Sequence, residues 1–272
     1  MRIGCCLPGD KIMPKDKEYT WAEVLLYGDK LIMDAGFDYT ESIVGACMRL
    51  TEVEVNFLNE KKQQGLFHLE SCNGFLPGTL KICEGGDREE IREYFDKTLK
   101  RLSNLGVKVQ VFGSGGARAI PENMDRAEAI KEIEKFLILC NEYALKYGVM
   151  VVIEPLNTKE SNVFTSVKES GIMAERLNLP MVKLLADSYH MFMENESMDA
   201  IYEYKNILKH THIADVPGRV YPGAIGAQQL KDFAKALKDI GYTERVTAEA
   251  GFPDFVENIK VAGKFMRETF CE

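Results

Sequence analysis

Basic residues are outnumbered by acidic residues in this sequence, and long apolar runs are absent from it. There are 34 Lys and Arg residues against 42 Asp and Glu residues, which gives a formal net charge of -8. Positive side chains that neutralise phosphates supply most non-specific affinity for nucleic acids, so we expect no nucleic-acid partner. No apolar stretch approaches the length that a membrane-spanning helix needs, so we expect no membrane partner either.

Paired cysteines and a secretory leader are missing as well. The seven cysteines are an odd number and form no Cys-x-x-Cys pair, which is typical of reduced thiols in a cytosolic protein. The N-terminal stretch MRIGCCLPGD turns polar too early for the apolar core of a signal peptide. We therefore expect a cytoplasmic protein.

The sequence does contain short apolar runs that alternate with long amphipathic stretches. The strand candidates are residues 2–7, 37–43, 66–72, 107–113, 149–155, 182–187, 210–215 and 245–250. Strict alternation of strands and helices predicts a parallel sheet, and eight such units in 272 residues fit a closed (β/α)8 TIM barrel better than an open doubly wound sheet. No linker or shift in composition divides the chain, so we predict a single α/β domain over residues 1–272.

Four consecutive predicted strands, the fifth to the eighth, each carry one metal-competent side chain near the C-terminal end. These side chains are Glu154, Asp187, His212 and Glu249. In a closed barrel they would surround one point, where the carboxylates would repel each other unless a cation lay among them. Three carboxylates and one imidazole suit a divalent ion such as Mn²⁺, Mg²⁺ or Co²⁺. The alternative is that each residue separately caps a helix or pairs with a nearby Lys.

Other polar residues near strand ends have weaker patterns. The stretch FGSGGAR, which contains Ser114, follows the fourth strand and could offer backbone N–H groups to a substrate, although a tight turn is the first interpretation. In SCNGF, Asn73 and Phe75 could form part of the pocket wall, and core or turn roles fit them at least as well. His190 follows Asp187 by three residues and could be either structural or functional.

Four motifs in the second half of the chain carry a family resemblance. The strings IEPLNTKE, ADSYHM, HIADVPGR and AEAGF occur in the order and approximate spacing of the xylose-isomerase-like barrel superfamily. The chain resembles most closely its sugar isomerases and ketose 3-epimerases. The resemblance implies that Glu154, Asp187, His212 and Glu249 bind one divalent ion, with Mn²⁺ first among the candidates, and that Glu154 and Glu249 are also the acid/base pair.

The resemblance also implies substrate contacts and leaves the substrate open. Glu160, His190 and Arg219 match family positions that contact substrate. HIADVPGR is particularly similar to the corresponding string of hydroxypyruvate isomerases. After Arg219 the family commonly continues with Gly-Glu-Ile, whereas this chain reads VYPGAIGAQQL and has no acidic residue there. We therefore expect a small carbohydrate or hydroxy-keto substrate of unspecified identity, and a homo-oligomer, either a dimer or a tetramer.

The resemblance implies an isomerase, and the ketose 3-epimerase type is favoured. A metal-dependent lyase or dehydratase acting on a hydroxylated ring or a 3-keto-glycoside would use the same acid/base pair and is the main alternative. An apurinic endonuclease of this superfamily uses a three-zinc cluster rich in histidine, and this chain has only four histidines: His68, His190, His210 and His212. A sugar-binding barrel without catalysis would not need both Glu154 and Glu249.

Overall fold

The computed structural model describes residues 1–15, 17–226 and 228–272, and in these residues a parallel sheet closes into a barrel. The eight strands pair in chain order, and the last strand pairs with the first. Their bounds are β1 Arg2–Cys6, β2 Tyr39–Ile43, β3 Leu69–Asn73, β4 Val109–Phe112, β5 Met150–Ile153, β6 Val182–Asp187, β7 Leu208–Ile213 and β8 Arg245–Ala248. The prediction of a single-domain (β/α)8 barrel is confirmed.

Helices follow each strand and cover the outside of the barrel. The α-helices of the described residues are α1 Trp21–Asp34, α2 Val44–Arg49, α3 Glu52–Gln63, α4 Glu89–Asn104, α5 Gly115–Arg118, α6 Arg126–Tyr147, α7 Val167–Leu177, α8 Ser188–Met193, α9 Asp199–Glu203, α10 Gln228–Asp239 and α11 Phe255–Met266. Short 3-10 turns lie at Gly9–Ile12 and Ile82–Glu84, and a π-helical turn ends the chain at Arg267–Cys271. None of the helices among the described residues has the length and hydropathy of a membrane span.

The sequence explains where several of these helices begin and end. Thr20 and Glu23 form a capping box at the start of α1, in which each side chain bonds the backbone N–H of the other residue. Thr51 and Glu54 do the same for α3. Gly148 ends α6 in the left-handed conformation, φ 68°, which glycine adopts without steric cost.

Seven of the eight strands differ from their predicted bounds, and the structure gives a physical reason for two of these differences. The strand predicted at 149–155 ends at Ile153, before Pro155, which has no N–H to offer a sheet. The strand predicted at 210–215 lies at Leu208–Ile213, because Asp215 exchanges backbone hydrogen bonds with Val220 and turns the chain out of the barrel. The strand predicted at 66–72 begins only at Leu69.

The strands pack mainly apolar side chains against the helices, and part of the barrel interior is polar. On the outer side, Phe95, Phe112 and Phe136 pack together with ring centroids 4.9 to 5.3 Å apart. Toward the axis the structure buries a set of polar side chains completely: Tyr39, Glu41, Ser71, His210, His212 and Thr247. The ring of Tyr39 occupies the space beside Gly4, where a Cβ would lie 2.3 Å from the ring. The lower barrel is therefore filled by hydrogen-bonded side chains, which support the site above them.

Candidate active site

The four predicted metal ligands come together at the C-terminal end of the barrel. Glu154 follows β5, Asp187 ends β6, His212 lies in β7 and Glu249 follows β8. Asp187 and His212 are direct register partners, which places their side chains at one level. One ligand atom from each of the four residues lies within 4.8 Å of all the others. Closure of the barrel thus brings residues that are nearly one hundred positions apart in the sequence into one cluster.

The chemistry of this cluster fits a divalent cation. The side chains of Glu154, Asp187 and His212 are almost fully buried, and that of Glu249 is 23% exposed. Three carboxylates in such a pocket repel each other, and a bound cation would offset that repulsion. An oxygen-rich set with one imidazole is typical of sites for hard or borderline divalent ions. The cluster can therefore bind a metal ion.

The surroundings of Glu154 and Glu249 shift their pKa values in opposite directions. Burial and the neighbouring Glu249 raise the pKa of Glu154. Burial also works against ionisation of Glu249, but His212 and Arg219 outweigh it and lower the pKa of Glu249 to about 2. Burial lowers the pKa of His212, yet the surrounding carboxylates, Glu41 first, raise it well above the ordinary value. Two carboxyl groups with different proton affinities therefore lie in one pocket, as acid/base chemistry requires.

Arg219 and Asn73 both contact Glu249 from the mouth of the barrel. Arg219 lies on the loop after β7; its Nη2 donates to Glu249 and lies 3.5 Å from Asp187 Oδ2. Its guanidinium also stacks over the ring of Tyr189 at 4.9 Å. Asn73, at the end of β3, donates from Nδ2 to Glu249 Oε1 at 3.0 Å. Arg219 is 31% exposed at its side chain, so its remaining N–H groups can reach a ligand in the pocket.

His190 presents a buried N–H group to the same pocket. Its Nδ1 accepts hydrogen bonds from the backbone N–H of Asn157 at 3.0 Å and from Asn157 Nδ2 at 2.9 Å. The proton therefore lies on Nε2, which is 3.6 Å from Asp187 Oδ2 and has no hydrogen-bond partner among the described residues. Asn157 also donates to Glu160 Oε1 at 2.7 Å. His190 and Glu160 are thus joined through one amide.

The remaining two residues suggested for the pocket wall have structural contacts. Phe75 is fully buried and stacks on Phe95 with centroids 5.2 Å apart, so it belongs to the core outside the barrel rather than to the pocket wall. Ser114 Oγ accepts a hydrogen bond from the backbone N–H of Leu76 at 2.9 Å and so ties the loops after β3 and β4 together. The FGSGGAR stretch forms a turn and the short helix α5, as its first interpretation proposed.

Sequence reasoning missed two residues beneath the cluster, Glu41 and His210. Glu41 Oε1 lies 3.0 Å from His212 Nε2, and Glu41 Oε2 lies 2.9 Å from His210 Nε2. The alternation of strand positions was the available signal, because His210 and His212 are two apart and point to the same side of β7. Glu41 is similarly two residues from Tyr39, which also points to the axis.

The chain belongs to the xylose isomerase-like TIM barrel family, whose model matches residues 31–268. Among curated relatives, it is 32% identical over 172 residues to a putative hydroxypyruvate isomerase of Streptomyces coelicolor, covering 58% of this chain and 61% of the relative. It is 25% identical over 234 residues to the D-psicose 3-epimerase of Agrobacterium fabrum, covering 78% of each. The resemblance to sugar isomerases and ketose 3-epimerases is confirmed.

Solved structures agree on the architecture. The D-psicose 3-epimerase of Clostridium cellulolyticum H10, determined with D-tagatose, superposes with a TM-score of 0.83 at 19% identity and covers 99% of both chains. At this identity the likeness establishes the fold, and the functional argument rests on the residues of the site.

Gly113 provides a test of how tightly Glu154 is placed. A Cβ at this position would lie 2.1 Å from Glu154 Oε2, so Gly113→Ala should displace the carboxylate while the backbone stays intact. We expect the dissociation constant for Mn²⁺ to rise about tenfold or more, as when partners of metal ligands are disturbed. Gly116→Ala is the control, because its Cβ would meet only ordinary contacts at 3.7 Å. Equal affinities in a calorimetric titration of both variants would contradict this placement of Glu154.

Proposed function

We propose that this protein is a divalent-metal-dependent sugar isomerase or epimerase, of the ketose 3-epimerase type in the first instance. The observation that carries the proposal is the convergence of Glu154, Asp187, His212 and Glu249 within 4.8 Å at the mouth of the barrel. The curated relatives, a putative hydroxypyruvate isomerase and a D-psicose 3-epimerase, support the same reaction class. Mn²⁺ is the proposed ion, with Mg²⁺ and Co²⁺ as alternatives.

Two glutamates on different strands would move the proton. Glu154, Asp187, His212 and Glu249 would hold the ion, which supplies a Lewis acid that makes a C–H group next to a carbonyl more acidic. One of the carboxylates of Glu154 and Glu249 takes that proton, and the other returns one from the opposite side of the substrate. Return to the same carbon gives epimerisation, and return to the neighbouring carbon gives aldose–ketose isomerisation.

Three further side chains would orient the substrate. His190 offers its buried Nε2–H to a substrate oxygen, since this donor has no other hydrogen-bond partner in the part of the chain that the structure describes. Glu160 lies in the same hydrogen-bonded group through Asn157. Arg219 contributes charged donors from the loop after β7, where they can meet a hydroxyl or a carboxylate. The substrate would be a small carbohydrate or hydroxy-keto compound.

A metal-dependent lyase or dehydratase is the second candidate. The same pair of glutamates could remove a proton and protonate a leaving hydroxyl or glycosidic oxygen. Incubation with ketohexoses, ketopentoses, hydroxypyruvate and 3-ketoglycosides in the presence of Mn²⁺, followed by product analysis, separates the two. Products of unchanged mass support the isomerase, and loss of water or of a sugar group supports the alternative. The oligomeric state and the cytoplasmic location stay predictions.

Metal content is the first test. We expect about one divalent ion per chain, with Mn²⁺, Co²⁺ or Mg²⁺ preferred, because the cluster offers one set of mostly oxygen donors. Elemental analysis of the purified protein after reconstitution and dialysis measures both the ion and its stoichiometry. Three zinc ions per chain would favour the endonuclease-like chemistry instead.

Arg219→Ala should weaken substrate binding and leave the metal in place. Charge-assisted hydrogen bonds contribute about 1.5 to 3 kcal/mol, which corresponds to a rise in KM or a loss in kcat/KM of about tenfold to a hundredfold. Arg126→Ala serves as the control, since Arg126 lies at the start of α6 and is 58% exposed. Loss of the ion in the Arg219 variant would mean that the site is assigned wrongly.

Glu249→Gln should separate an enzyme from a binding protein. Gln keeps the shape and one ligating oxygen but removes the basic carboxylate, so kcat should fall by about 10²- to 10⁴-fold or more. In deuterated water, the parent should label its product at the reacting carbon and the variant should not. Glu244→Gln, at the opposite end of β8 with a side chain 41% exposed, is the matched control. A metal-loaded Glu249 variant with parental turnover would eliminate Glu249 as a base.

A further inference from the structure

We propose that Glu41 is a positioning residue that fixes the imidazole of His212 for metal binding. The inference rests on the proposed function, since it assigns Glu41 a role toward the same metal site. Glu41 lies in β2, on the barrel axis below the cluster, and its side chain is fully buried. None of the four sequence motifs contains it.

The two nitrogens of His212 face two different carboxylates. Nε2 lies 3.0 Å from Glu41 Oε1, and Nδ1 lies 2.8 Å from Glu154 Oε1 inside the cluster. When Nε2–H donates to Glu41, the lone pair of Nδ1 is directed at the point where the ligand atoms meet. A carboxylate that accepts the second N–H of a ligating histidine fixes the tautomer and the ring orientation and makes the ligand more basic.

Glu41 is itself held in place by donors from three other strands. Its Oε2 accepts hydrogen bonds from Ser71 Oγ at 2.7 Å, His210 Nε2 at 2.9 Å and Thr247 Oγ1 at 3.2 Å. Thr247 Oγ1 also lies 2.7 Å from the hydroxyl of Tyr39, which fills the barrel below. A carboxylate surrounded by this many donors has little freedom to turn away from His212.

A second metal ion at Glu41, His210 and His212 is a poorer account of the same residues. Two ions would need both ring nitrogens of His212 as ligands, but a neutral imidazole has one accepting nitrogen, and Nδ1 is the one that faces the upper cluster. The hydroxyl of Ser71 adds a further donor to the carboxylate of Glu41. The contacts of Glu41 are thus those of an acceptor of protons on nitrogen and oxygen.

Glu41→Gln tests this role with little change in shape. Gln offers one acceptor oxygen, and its NH₂ group would face an imidazole N–H, so one of the two histidines loses its partner. Calorimetric titration of the metal-stripped full-length variant with Mn²⁺ should give a dissociation constant about 10- to 100-fold above that of the parent, at one ion per chain. Thermal unfolding without metal checks that the variant is folded.

A second measurement reports on His212 directly and does not need turnover. Histidine side-chain ¹H–¹⁵N NMR of the Mg²⁺-loaded protein has only four rings to assign. We expect a strongly downfield Nε2–H signal for His212 in the parent, because this proton is bonded to a carboxylate, and its loss or upfield shift in Glu41→Gln. A change confined to folding stability would leave both the metal affinity and this signal unchanged.

Glu70→Gln is the matched control. Glu70 also lies in the barrel, but at the N-terminal end, where its carboxylate binds Arg2 at 2.9 Å and Arg245 at 3.0 Å. This variant should be less stable and bind Mn²⁺ as the parent does. If Glu41→Gln does not fold, Ser71→Ala removes one donor to Glu41 and should raise the dissociation constant several-fold.

Two results would overturn the inference. The first is a Glu41→Gln protein with parental Mn²⁺ affinity and an unchanged His212 signal. The second is a parent that binds two ions per chain and a variant that loses one of them, since Glu41 would then be a ligand. A parent protein that binds no divalent ion would refute the proposed metal site and, with it, the role of Glu41. This outcome is distinguishable from the other two because it is observed without any variant.

Discussion

Repulsion between three carboxylates in one pocket is the constraint on which the rest of the site depends. Glu154, Asp187 and Glu249 lie together because barrel closure brings the ends of their strands to one point. Positive charge is needed to offset this repulsion, and His212 and Arg219 supply part of it. Burial and the neighbouring Glu249 raise the pKa of Glu154, whereas His212 and Arg219 outweigh burial at Glu249 and lower its pKa.

Buried carboxylates have different partners in the lower, middle and upper layers of the barrel. At the N-terminal end, the carboxylate of Glu70 forms ion pairs with two arginines, Arg2 and Arg245. In the middle, Glu41 is matched by neutral donors and histidine N–H groups. In the upper layer, the carboxylates of Glu154, Asp187 and Glu249 outnumber the guanidinium of Arg219 and the imidazole of His212. That imbalance supports the proposed metal site at the C-terminal mouth.

The sequence was sufficient for the barrel and for the upper layer, but not for the support beneath it. Glu154, Asp187 and Glu249 could be predicted because they interrupt or end apolar runs in four regular βα units. Strand alternation could place Glu41 on the barrel axis but not beside His212, which is 171 residues away and becomes its neighbour only in the closed barrel. Phe75 was equally undecidable, because an aromatic residue after a strand can face either the pocket or the helices. Its stacking on Phe95 depends on how α4 packs.

Backbone hydrogen bonds hold Arg219 in place, although the VYPGAIGAQQL stretch that follows it departs from the family pattern. The N–H of Gly251 donates to the carbonyl of Arg219 at 2.7 Å, and the N–H of Tyr221 donates to the carbonyl of Gly251 at 3.1 Å. Arg219 is thereby attached to the segment that follows Glu249, whichever side chains come next. These bonds hold Arg219 beside Glu249, which supports the proposal that both residues act on the substrate.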